Sequence, residues 1–87
     1  MNHKIIFNQN TSAQAEDNEE LNRMVVTMVC NYINDLLKVR GYIYLNQIYE
    51  YFGVKWNIET ENHCLTSKYS PINFVVRNTG NSFEIIF

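Results

Sequence analysis

The run EELNRMVVTMVCNYINDLLKVR, from Glu19 to Arg40 and closed by Gly41, constrains this chain more than any other stretch. At 100° per residue, Leu21, Met24, Val25, Met28, Val29, Tyr32, Leu36 and Val39 fall on one helical face. Val26, Cys30, Ile33 and Leu37 form a second stripe beside it, spaced four, three and four. Only a narrow side is left for Arg23, Thr27, Asn31, Asn34 and Lys38. A surface helix needs an apolar arc of little more than ~100°, and this one spans roughly twice that. The expectation is a helix covered on two sides, by its own domain and by a partner. The second stripe, Val26, Cys30, Ile33 and Leu37, is taken as the partner-facing one.

Eighty-seven residues make one domain, 1–87, near the lower limit for folding without disulfide or metal staples. Hydrophobic residues at 46% are enough for a core, and twelve aromatic side chains each bury a large area. Stability would still be small, and dimerisation would add to it. Seven Lys and Arg against nine Asp and Glu leave a net charge of −2 with no basic stripe. Nucleic-acid affinity rests largely on phosphate neutralisation, so this balance counts against a DNA or RNA partner. Cys30 and Cys64 make no disulfide framework, and Cys30 reads as a small buried hydrophobe. No signal peptide and no membrane-length apolar run is present, so the chain is expected in the cytoplasm.

Ile5, Ile6 and Phe7 suit a sheet edge, with residues 1–11 read as an edge strand or extended arm. Thr11 with Gln14, or Asp17 with Glu20, offers a capping box, and the long helix is expected to begin near residue 12. Gly41 stops it. Tyr42–Tyr44 suits a short strand, and Leu45, Ile48, Tyr49 and Phe52 recur at the spacing of a two-turn helix ending at Gly53. Val54, Trp56 and Ile58 alternate with polar residues as in a half-buried strand, and 60–71 reads as a loop. Ile72, Phe74 and Val76, then Phe83, Ile85 and Phe87, alternate around Asn78-Thr79-Gly80-Asn81, which makes a C-terminal β-hairpin. The resulting class is α+β, a long and a short helix packed on a small antiparallel sheet.

No residue pattern points to catalysis, a metal or a cofactor. His63-Cys64 is the one adjacent pair of reactive types, but a nucleophile needs a base within reach and a group to orient it. Neither CxxC nor HxxxH occurs, and Gly41, Gly53 and Gly80 are isolated rather than a phosphate-cradling loop. Tyr42, Tyr44, Tyr49, Tyr51, Phe52 and Trp56, by contrast, fall within fifteen positions, and such side chains favour binding hot spots. Tyr42 and Tyr51 join Val26, Cys30, Ile33 and Leu37 as the expected interface.

Residues 34–53, NDLLKVRGYIYLNQIYEYFG, resemble a pattern in small proteins of bacteriophages and integrative elements. In those proteins a helix ends in a basic residue and Gly-Tyr, and an aromatic–Leu–Asn step leads into a short helix ending in Gly. The resemblance implies a phage or mobile-element setting and brings no catalytic residue with it. The functional expectation is a non-enzymatic protein that binds a protein partner, as a homodimer through the long helix. It would act by occluding or clamping a surface, such as that of a host defence enzyme. A winged-helix-like DNA-binding accessory, with Asn46, Gln47, Lys55 and Arg77 at the DNA, is the alternative. A small hydrolase using His63 and Cys64 is a third reading.

Overall fold

The computed structural model describes residues 3–56, 62–66 and 71–87. In chain order, it gives β1 (Lys4–Phe7), α1 (Glu19–Arg40), β2 (Tyr42–Tyr44), α2 (Leu45–Tyr51), β3 (Cys64–Thr66), β4 (Val75–Asn78) and β5 (Phe83–Ile86). The class is α+β, as the periodicities require. The antiparallel strands form two sheets, one ordered β1-β5-β4 and one pairing β2 with β3.

In the larger sheet Ile5 pairs Ile85 and Phe7 pairs Phe83, which sets four apolar side chains on one face. The opposite face carries Lys4, Glu84 and Arg77, where Glu84 reaches Lys4 at 3.0 Å and Arg77 at 4.0 Å. Period two in the sequence thus becomes a buried and a solvated face. Against the buried face lie Val26, Cys30, Ile33 and Leu37 of α1, joined by Ile43 of β2 and by Ile48 and Phe52 beside it. Most of these are fully inaccessible, so one core is shared by α1, α2, β2 and the larger sheet.

Helix α1 starts at Glu19 rather than near residue 12. Asn18 caps it, its side chain accepting the Leu21 N–H at 3.0 Å, and neither expected capping box is used. The segment before the cap is tied down elsewhere: Ser12 donates its hydroxyl to the Phe52 carbonyl at 2.6 Å and pairs with Val54 in an isolated bridge. Closer to the cap, the Glu16 N–H and carbonyl are both bonded by the Asn22 side chain, and a backbone group so engaged does not serve an i→i−4 ladder. Gly53 turns at φ 70° against this strap, and a Cβ there would stand 2.8 Å from Ser12 Oγ.

Two further expectations change. Val54 forms an isolated bridge to Ser12 rather than a strand, and Lys55 and Trp56 are irregular; the remainder of the expected Val54–Ile58 strand lies outside the described residues. Within the expected loop, Cys64–Thr66 is a strand pairing antiparallel with Tyr42–Tyr44. Its neighbours serve the start of α2, whose first N–H groups need partners. His63 accepts from Leu45 N–H at 2.8 Å, and Asn62 Oδ1 from Asn46 N–H at 3.0 Å. The C-terminal hairpin is present, with Val75 pairing Ile86 and Asn78 pairing Phe83. Its strand β4 begins at Val75, three residues later than Ile72.

A candidate interaction surface on the long helix

Two asparagines tie α1 to backbone outside the helix. Asn22 brackets the backbone of Glu16, accepting its N–H at 2.7 Å and donating to its carbonyl at 2.8 Å. Asn34 does the same to Ile72, at 2.8 and 3.0 Å. On the helical wheel these residues flank the line Val26, Cys30, Ile33 and Leu37, so both brackets close only when that line faces the sheet. A side-chain amide offers donor and acceptor side by side, which suits it to replace a missing strand neighbour.

The stripe expected to meet a partner is therefore the core. Val26, Ile33 and Leu37 have no accessible surface and Cys30 very little, all of it covered by the chain's own elements. Burial also pushes the Cys30 thiol up to about 11, leaving it protonated and inert near neutrality. What remains outside is the stripe the sequence had turned inward. Leu21, Met24, Met28, Tyr32 and Val39 are between 46% and 84% exposed, and Val25, Leu36 and Val29 line its inner margin half-buried. From Leu21 to Val39 the stripe runs for about 27 Å at 1.5 Å per residue. A contiguous apolar patch of more than a few hundred Å² marks an interaction site, whereas scattered single residues do not.

Of the six expected interface residues, only the tyrosines stand at this surface. The Tyr51 ring meets Tyr32 edge to face, with centroids 5.2 Å apart, and so fastens α2 to the exposed side of α1. Tyr42 is 42% exposed, lies edge-on to Tyr44 and is covered by the Arg40 guanidinium 4.8 Å from its ring centroid. The Tyr42 hydroxyl also raises the already high pKa of Arg40. Arg40 thus stands at the C-terminal end of the stripe as a fixed cation, as Glu19 and Glu20 stand at its N-terminal end. The missed residues had a signal in the sequence. Asn22 continues the line of Val26, Cys30, Ile33 and Leu37 back by four, so that line has a polar anchor at its head.

His63 and Cys64, the adjacent pair of reactive types, do not face each other. His63 faces His3, ring centroids 5.8 Å apart, while Cys64 is exposed on β3. Successive residues of extended chain point to opposite sides, which separates the imidazole from the thiol. Among the described residues no hydrogen-bond partner reaches the buried His3 Nε2, and burial together with the nearby His63 lowers the His3 pKa. A polar hollow of about 350 Å³ lies beside the start of α1, lined by residues including Asn8, Glu16, Asp17, Glu19 and Asn81. Among the described residues, no three His, Cys, Asp or Glu side chains are grouped to hold a metal ion. Nor is any described helix long and apolar enough to cross a membrane.

Comparison with protein-family models, curated proteins and solved structures finds no match to this chain.

Proposed function

We propose that this protein is non-enzymatic and works by binding another protein through the outer stripe of α1, with Tyr51 and Tyr42 at its margin. The observation that carries this reading is an apolar stripe left outside a core that is already filled. Met24 and Met28 give that stripe flexible, polarizable side chains that adapt to a partner, and Tyr32 gives it a rigid aromatic anchor. Binding would cover the partner's surface and thereby occlude or clamp it. In the phage or mobile-element setting that residues 34–53 imply, a cytoplasmic host protein such as a defence enzyme is the fitting target. The DNA-binding alternative draws nothing from α2, which has no Lys or Arg and exposes only Glu50.

A photo-crosslinking residue at Met28, compared with one at Thr27 on the polar side, tests the proposal in bacterial lysate. Adducts with another protein are expected from position 28 and not from 27. Equal yields, or none from either position, would overturn it.

A further inference from the structure

We infer that the open edge of the larger sheet, along β4, takes up an extended segment of another protein as an added strand. That segment sets a carboxylate beside Arg77 and apolar side chains beside Val75 and Val76. Antiparallel neighbours alternate between residue pairs that exchange both backbone hydrogen bonds and pairs that exchange none. His3 and Phe87 exchange both, at 2.6 and 2.9 Å, so the bonded pairs of β1 with β5 are Ile5–Ile85 and Phe7–Phe83. Glu84 and Ile86 are left to bond β4, through Arg77 and Val75. The Thr79 N–H, bonded to the Ser82 carbonyl at 2.9 Å, gives the same phase from the turn. The Val76 N–H and carbonyl therefore point away from β5, and among the described residues no strand lies beyond β4.

The two edges of this sheet are finished differently. On β1 the outward-facing Ile6 carbonyl accepts the Thr11 hydroxyl at 2.7 Å, so the following segment folds over that edge. On the β4 side, Asn34 brackets the Ile72 backbone as a strand neighbour would. Val75 and Val76, further along, are exposed, although Val76 shares the core face with the fully buried Ile85. An exposed apolar edge is a template for strand addition, in which backbone bonds give affinity and alternate side chains give specificity.

Charge names the occupant. Arg77 is the charged residue of β4, and it faces Glu84 at 4.0 Å, while Glu84 is closer to Lys4, at 3.0 Å. Across the open edge, the position of an added strand directly beside Arg77 favours a carboxylate, because opposed charges stabilise a strand pair. No Asp or Glu occurs from Pro71 to Ser82. A second β4 therefore has no acid to offer Arg77, and the added strand belongs to a different protein. The edge lies on the flank of α1 whose Glu19 meets Asn78 and whose Asn34 meets Ile72, apart from the outer stripe. Its failure as a site would leave the reading of that stripe untouched.

The test is amide exchange in the full chain with a defined peptide. In the free protein the Val76 N–H should exchange at least tenfold faster than those of Val75 and Arg77. A capped peptide of about eight alternating Val and Glu residues, long enough for a strand, should slow the Val76 amide at least tenfold. The same peptide with Lys in place of Glu should not. Val76→Pro should abolish binding with an unchanged circular dichroism spectrum, since proline is tolerated where an edge N–H faces solvent. Arg77→Glu leaves the backbone edge intact and should reverse the preference between the peptides, which decides the matter if the proline disturbs the fold. Slow Val76 exchange in the free chain, no slowing with the Glu peptide, or equal slowing by both peptides would each overturn the inference. Binding that survives Val76→Pro in a folded chain, or a preference unchanged in Arg77→Glu, would do the same. So would Val76 protection that grows with protein concentration in the absence of peptide, which would give the edge to a second copy.

Discussion

Leu37 and Val39 are two residues apart on the same helix, yet Leu37 has no accessible surface and Val39 is 84% exposed. The same contrast holds for the whole inner stripe against the whole outer one. Both are apolar, and both repeat at helical spacing. Helical spacing therefore does not separate them. The inner stripe lies between two asparagine brackets that fix it on the sheet, and the outer stripe has no such anchors.

The contrast can be broken most directly by paired truncation. Leu37→Ala removes atoms from a filled core and is expected to cost about 2–5 kcal/mol. Val39→Ala should stay within about 0.5 kcal/mol in dilute solution, as exposed substitutions do. Urea unfolding midpoints measure both, and equal losses would show that the two stripes are not inside and outside.

The anchors give the next largest effect. Asn34→Ala leaves the Ile72 N–H and carbonyl without their bracket and should cost roughly 1–3 kcal/mol. Asn31→Ala, on an exposed position of the same helix, should cost almost nothing. A silent Asn34→Ala would mean that apolar packing alone sets the rotation of α1.

The smallest expected effect lies away from α1, where His3 sits against His63 and Phe87. Its pKa is lowered from 6.5 by burial first and by the His63 charge second. The unfolded chain thus takes up a proton more readily than the folded one. The stabilisation is fully present above pH 6.5 and declines as pH falls below that value toward the lowered one. Melting temperatures of wild type and His3→Phe, followed from pH 8 to pH 5, should diverge modestly, with the variant losing less. Parallel curves would show that His3 does not contribute.

Much of the architecture was legible before any coordinates. Gly41 and Gly80 both take positive φ, at the helix stop and hairpin turn where the sequence put them. The alternation around Phe83 and Ile85 gave the sheet its buried face, and the spacing of Leu45, Ile48 and Phe52 gave α2. The start of α1 was not legible, because Asn18 caps it in place of either box and the Glu16 backbone before it is bonded by Asn22. Nor was β3, whose three residues become a strand only by pairing with Tyr42–Tyr44 from twenty positions upstream. The candidate surface was half legible: an excess of apolar circumference pointed to a second contact, but to the wrong stripe.

The order of residues alone determined that a long helix would form, where it would stop, and that it carried more apolar surface than one sheet can cover. Those are properties of neighbours three and four apart, and local geometry settles them. Which stripe turned inward was decided only by contacts between distant segments. Asn34 reaches Ile72 thirty-eight positions away, and a helical wheel holds no information about a bond of that kind.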